Sequence, residues 1–421
     1  MSNQTKQWGA IIIMIALFAM IAFVTNLCTP MATIIKNQGE ISNVLAQIGN
    51  YGNFIAYLVM GIPAGMLIAK YGYKKTALIG LLVGITGILI QWYSGQLDAQ
   101  ANLGLVFGVY LVGALITGLC MCILNCVVNP MLNLLGGGGN KGNQLIQIGG
   151  VFNSSAAVAC YILMGALIAD ASKAKIADAT PALMIALAIF VIAFVIILFT
   201  KIEEPEQAPV QLDLIKGAMS YKHFALGTLG IFLYMGIEVG VPNFVQQYLI
   251  EERNIPAATV GMLVAVYWFM MLIGRFVGAS IGDKVSSRSM ITTVSCATMV
   301  LVLFGMFAPT DVLVSFPGVD WGKLEMIWQP VPVGIFSFLL VGLCTSVMWG
   351  AIFNMAVEGL GKYTAIASGI FMTMVFGCAV MMFIQATVAD MTDYITSFWV
   401  VVCCAAYLLY YAQVGSKIAK K

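Results

Sequence analysis

Twelve stretches of this chain, at about 8-35, 45-69, 76-94, 103-135, 144-169, 182-200, 223-250, 258-282, 289-308, 331-356, 364-389 and 394-414, are long, apolar and almost free of charge. Lipid supplies no hydrogen bonds, and a helix satisfies its own backbone, so such stretches become spanning helices. About 20 apolar residues suffice for one crossing; twelve crossings leave no room in 421 residues for a sizeable soluble domain. Hydrophobic residues make up 61% of the chain and charged ones 9%, against about 25% charge in an average soluble domain. That balance excludes a water-soluble enzyme, whose surface so few charges could not coat. A net charge of +2 gives no basis for binding nucleic acid. The ten cysteines fall inside apolar runs and read as reduced, unpaired small hydrophobes. The expected fold class is therefore an all-α polytopic membrane protein with 12 transmembrane helices.

The basic residues set an expected orientation. With both termini in the cytoplasm, fifteen of the twenty Lys and Arg residues lie inside and five outside. The opening MSNQTKQ and the long first run, without a small-residue cleavage pattern, read as a retained first helix. A polar segment at 201-222 divides the chain into a six-helix bundle at 1-200 and another at 223-421. The segment 309-330 is expected to be an external loop whose tryptophans rest at headgroup level.

The two halves repeat. Offset by about 212 residues, Asn26 and Pro30 of the first run match Glu238 and Pro242 of the seventh. Gly61, Gly65, Ala69, Lys70 and Lys75 match Gly274, Gly278, Gly282, Asp283 and Arg288, small-residue ridges suited to close helix packing that end in charge. With a further shift, Asn129 falls on Asn354. Parallel halves around a central axis are the build of transporters, whose binding site lies where the halves meet. A proline within a spanning helix frees a carbonyl and bends the rod. Pro30, Pro242, Gly65, Lys70, Gly278, Asp283 and Arg288 are accordingly the candidates for conformational gating.

Of eighteen acids, Glu238 alone falls near mid-depth, where an acidic residue costs about 2.5–3.5 kcal/mol. No basic residue is expected at similar depth, and Arg275 reads as lying near the cytoplasmic exit. Amides supply the remaining polarity: Asn26, Asn125, Gln147, Asn153 and Asn354, with Trp268 and Trp349 able to stack on a sugar ring. Such groups both donate and accept, which suits a neutral ligand rich in hydroxyls. Gly137, Gly139 and Gly142 satisfy a G-x-G-x-x-G spacing, but they follow a membrane helix and not a strand, so the segment reads as a turn. His223, the single histidine, reads as an interfacial residue, and no metal site or cofactor is expected.

Three segments carry a family resemblance: NCVVNPMLNLLG at 125-136, GGVFNSSAA at 149-157 and FLYMGIEVGVPNF at 232-244. They resemble the major facilitator superfamily, and within it the fucose permease and glucose/galactose transporter group. The resemblance implies uptake of a monosaccharide across a bacterial inner membrane by alternating access, usually driven by H+ or Na+, by a monomer in the lipid bilayer without enzymatic activity. The chain departs from that group where a first-helix aspartate falls on Asn26, a fourth-helix glutamate or glutamine on Asn125, and a fifth-helix glutamine on Gly150. Coupling then rests on Glu238. An uncoupled facilitator and a symporter of an anionic sugar such as sialic acid stay open as alternatives.

Overall fold

The computed structural model describes residues 8–39, 48–135, 139–167, 175–200, 213–281, 285–320, 325–360 and 364–417. The first half comprises α1 (Trp8–Gly39), α2 (Ile48–Gln96), α3 (Ala99–Leu135), α4 (Gly139–Leu167) and α5 (Thr180–Phe199). A short helix, α6 (Asp213–Met219), precedes the second half: α7 (Lys222–Gln247), α8 (Ala257–Ile281), α9 (Ser287–Phe307), α10 (Gly334–Val357), α11 (Thr364–Thr373), α12 (Gly377–Met391) and α13 (Trp399–Tyr410). Among the described residues, ten helices are long and apolar enough to cross a membrane, and the shorter apolar helices Phe54–Ile68 and Ile148–Met164 fall in the second and fifth runs. The chain is a multi-pass membrane protein. An even number of crossings puts its two ends on one face, here the terminal face.

Local chemistry sets the joints. α2 carries the second and third runs as two arms broken at Gly72, whose φ of 79° is open to glycine and strained for any other L residue. Two residues on, Lys74 reaches across and its Nζ donates to the carbonyls of Leu198 and Thr200, at 3.1 and 2.8 Å, closing the end of α5. Ser286 caps α9 by accepting the Ser289 amide at 3.2 Å. His223 does a similar job from the side. Expected at the membrane interface, it is only 3% exposed, donating from Nε2 to the Glu358 carbonyl at the end of α10 at 2.8 Å. The nine cysteines with described side chains are all free.

The segment between α9 and α10 is not a plain loop. It forms an antiparallel hairpin, β1 (Leu313–Asp320) with β2 (Glu325–Pro332), in the register Leu313↔Pro332 and Val319↔Met326. Among the described residues, otherwise helical, this is the one ribbon. Alternation explains it: one face of the ribbon turns Val331, fully buried, and Phe316 toward the bundle, the latter 6.1 Å from the Phe336 ring. On that same face Gly318 lies so close to Thr259, near the start of α8, that a Cβ would collide with it. Trp328 points the other way and is 61% exposed.

The glycine ridges, equivalent in the repeat, separate in space. Gly274 and Gly278 bring α8 against Ser346 and Val347 of α10, within the second half. Gly61 meets Thr373 of α11 across the boundary between halves, whereas Gly65 has open space where its Cβ would be. The halves also meet where α4 packs against α8. Between α11 and α12 the helix tightens into a 3-10 turn at Met374–Phe376, and Phe376 stands edge-on to Phe232 of α7 at 5.1 Å. Forced volume at the inner ridge must therefore be costly: Gly274→Leu is expected to lose about 1–3 kcal/mol of stability through overpacking, while Gly65→Leu stays near neutral. Thermal unfolding of the two purified variants in detergent checks this, and equal melting temperatures would count against the packing described.

Candidate functional site

Pro242 has no N–H to offer the carbonyl four residues back. In α7 that carbonyl belongs to Glu238, and the Tyr267 hydroxyl of α8 donates to it across 3.0 Å. The proline that loosens α7 therefore also demands a donor from its neighbour, since a buried orphan acceptor costs about 1–3 kcal/mol. Tyr267 also meets Thr345 Oγ1 of α10 at 3.2 Å. A phenol and a threonine hydroxyl carry one proton each, and Thr345 Oγ1 also donates to the Gly342 carbonyl of its own helix at 3.1 Å, so two protons are shared among this contact and two backbone acceptors. The Thr345 carbonyl in turn accepts the Tyr234 hydroxyl at 3.3 Å. Three helices are thus stitched together around one acid.

Tyr234 lies one turn before Glu238, its hydroxyl within hydrogen-bonding reach of the carboxylate. Trp349, one turn beyond Thr345, leans on the Tyr234 ring at 6.2 Å and stands edge-on to Phe371 of α11 at 5.6 Å. Glu238 sits deep in the bundle yet keeps accessible surface.

The second part of the site crosses the seam between halves. Arg275 of α8 extends to α4, where Nη1 donates to the Gly150 carbonyl and, at 3.5 Å, to Asn153 Oδ1. Asn153 is oriented for this, because its Nδ2 donates to the Phe18 carbonyl of α1 at 2.9 Å. Glycine at 150 leaves the space: a Cβ there would press on the guanidinium at 3.1 Å. Arg275 and Glu238 act on each other electrostatically but form no contact ion pair. Seven residues before Arg275, on the same helix face, Trp268 stacks on Tyr161 of α4 with ring centroids 6.3 Å apart.

Residues 10–384 match the model of the Major Facilitator Superfamily. The chain belongs to that superfamily. It is 27% identical over 425 residues to the glucose/galactose transporter of Brucella abortus biovar 1 (strain 9-941), covering 99% of this chain and 96% of that protein. It is 20% identical to the L-fucose-proton symporter of Escherichia coli (strain K12), covering 96% and 92%. Among solved structures, the transporter FucP in the outward conformation superposes with a TM-score of 0.70 at 19% identity, covering 97% of this chain and 98% of that one. A mutant of the nucleoside transporter NupG follows at 0.67 and 15%, covering 96% and 98%.

Within this superfamily member the residues singled out from sequence scatter. Glu238 and Trp349 flank Tyr234, and Asn153 joins through Arg275. Trp268 lies on the seam, 5% exposed, with its ring against Tyr161 and its indole N–H without an acceptor among the described residues. Asn125 Nδ2 donates to the Tyr57 hydroxyl of α2 at 2.8 Å and its carbonyl accepts from Asn129, so both amides brace the first half. Asn26, 7% exposed, donates to the Ala22 carbonyl of its own helix at 2.8 Å. Asn354 is exposed near the far end of α10. Lys70 is exposed over the Tyr71 ring at 5.1 Å, and Arg288 is exposed at the start of α9. Pro30 lies within α1; its side chain, that of Gln147, and the whole of Asp283 fall outside the described residues.

Arg275 refines the sequence reading. It lies in the last third of α8, as an exit residue would, yet it acts electrostatically on the acid that was expected to have no cation near it. Tyr234, Tyr267 and Thr345 were missed too, although the Glu238–Pro242 spacing announces a carbonyl in need of a donor. One consequence is measurable by a double-mutant cycle. Tyr267→Phe is expected to destabilise the protein by about 1–3 kcal/mol, and to cost less when Pro242→Ala has restored the helical N–H. Equal losses in both backgrounds would mean that Tyr267 does not serve this carbonyl.

Proposed function

We propose that this chain is a secondary active transporter that imports a monosaccharide, such as a neutral hexose, 6-deoxyhexose or N-acetylhexosamine, by alternating access across a bacterial inner membrane. Both termini lie in the cytoplasm, residues 1-200 and 223-421 form the two moving bundles, and 201-222 links them. One chain holds both halves of the pathway, so the monomer is the working unit in the bilayer. The observation that carries this reading is Glu238, a carboxylate deep in the second half that keeps accessible surface beside the Tyr234–Trp349 ring pair. Aromatic faces suit the apolar side of a sugar ring, and an isolated intramembrane acid marks a site for H+ or Na+. The printed names of the relatives, a glucose/galactose transporter and an L-fucose-proton symporter, support the same substrate class.

The polar and glycine contacts between halves fall toward the terminal face, and the Tyr161–Trp268 stack lies farther from it. Gly150 lies in the first half of α4, Arg275 in the last third of α8, and Thr373 at the end of α11, ahead of α12. With the termini inside, the polar and glycine contacts close the seam toward the cytoplasm. A guanidinium that acts on the site acid favours one second reading, an anionic sugar such as sialic acid, whose carboxylate Arg275 would meet.

Reconstitution into proteoliposomes tests the assignment. Under an inward proton or sodium gradient the protein is expected to accumulate one sugar from a panel of hexoses, 6-deoxyhexoses, N-acetylhexosamines and sialic acid. Glu238→Gln should abolish accumulation, cutting it by about tenfold or more as for removal of an essential proton-transfer group, while sugar counterflow persists. Undiminished uphill uptake by Glu238→Gln would remove Glu238 from the coupling role; accumulation of sialic acid alone would select the second reading.

A further inference from the structure

Where α4 meets α8, one stripe of α4 faces the other half. A Cβ at Gly150 would press on Arg275, and Ser154, Ala157 and Tyr161, four, seven and eleven residues on, share that face of the helix. All three are no more than 1% exposed. Across from Tyr161, Trp268 stacks on its ring at 6.3 Å and stands edge-on to Tyr267 at 5.3 Å. Two polar hydrogens in this seam are unused. The Trp268 indole N–H and the Ser154 hydroxyl are sealed from solvent, and neither has a partner among the described residues. A helical serine commonly gives its proton to the carbonyl four residues back, as Ser155 does to Val151 at 2.9 Å; Ser154 does not. A buried donor left unmade costs stability. Phenylalanine at 268 would keep the stack, and alanine at 154 the close fit, without that cost.

We propose that the α4–α8 seam holds a latent carbohydrate subsite: when the halves part and Tyr161 withdraws, a pyranose ring takes its place on the Trp268 indole, whose N–H donates to an oxygen of the sugar. This rests on the transport reading given above and adds where the sugar goes on its way to the terminal face. Ser154 lies seven residues nearer that face than Tyr161, about 10 Å along the helix. Its hydroxyl therefore meets the same sugar later, as the sugar moves out along the opened seam.

In the closed seam Tyr161 fills the place of the sugar, ring on ring, so the subsite exists only in the open arrangement. Opening with sugar present exchanges one stacked ring for another and gives two idle donors their acceptors. Opening without sugar loses the stack and gains neither. A ligand that binds one of two arrangements shifts the population toward it, so the sugar itself favours the opening of the seam. The subsite also adjoins the acid: Tyr267, next to Trp268 in α8, is the residue whose hydroxyl serves the Glu238 carbonyl at 3.0 Å.

Binding of D-glucose, D-galactose, L-fucose and N-acetyl-D-glucosamine to the full chain, by calorimetry in lipid nanodiscs free of glycoside detergent, tests the subsite. For each sugar that binds the wild type, Trp268→Phe keeps a ring against Tyr161 but has no N–H. It should bind about three- to tenfold more weakly, the worth of a neutral hydrogen bond. A monodeoxy analogue lacking the accepting oxygen should bind both proteins equally, which a merely structural role for the indole would not produce. Ser154→Ala should melt no lower than the wild type without sugar, yet slow sugar counterflow by a similar factor. Wild-type affinity in Trp268→Phe overturns the subsite, as does wild-type counterflow in Ser154→Ala should the first variant fail to fold, and so does failure of all four sugars to bind the wild type. Uphill accumulation by a wild type whose variants bind just as tightly keeps the transport reading and discards the subsite. Indole-dependent binding without accumulation under any ion gradient does the reverse.

Discussion

A bilayer offers no hydrogen bonds, so each polar group placed inside this bundle must find its partner in the protein. Most of the architecture around the candidate site follows from that single demand. Pro242 withdraws one amide from α7, and the deficit appears on the carbonyl of Glu238; Tyr267 answers it, and Thr345 and Tyr234 complete the circuit. The acid is thereby fixed at the junction of α7, α8 and α10.

The same demand explains why the seam between halves is polar at one place and aromatic at another. Arg275 cannot be left bare, so it reaches the carbonyl that a glycine at 150 leaves uncovered, and Asn153 is turned to receive it by the carbonyl of Phe18. Where no charge needs an answer, Tyr161 and Trp268 close the gap by stacking. A polar tie can be exchanged for another polar tie at little net cost, whereas a stack must be opened against lost contact area. The two parts of one seam therefore resist opening for different reasons.

Much of this was legible in the sequence, because lipid makes helices of apolar runs and leaves few other choices. The twelve runs and the membership in the superfamily could be read before any coordinates. Glu238 stood out because every other acid had a loop or helix end to explain it. Arg275 did not, because a place near the end of a run says nothing of how far a long side chain reaches, here across to α4 and toward Glu238. The ridge glycines looked alike in the repeat, yet Gly61 faces the other half and Gly274 its own; one-dimensional periodicity cannot say which neighbour a face will meet. The hairpin escaped notice since both of its faces carry apolar residues, which blurs the alternation by which a strand is usually read.

That hairpin has a mechanical meaning. It begins after α9, ends at α10, and rests on Thr259 near the start of α8, so three helix ends are joined by a hydrogen-bonded ribbon at the face away from the termini. A ribbon of paired strands resists shear far better than a slack connection of equal length. Displacement applied to α8 at the seam is therefore passed to α9 and α10 and is not absorbed in a loop. In a rocking pair of bundles, such a splint would let one jaw turn as a single stiff body.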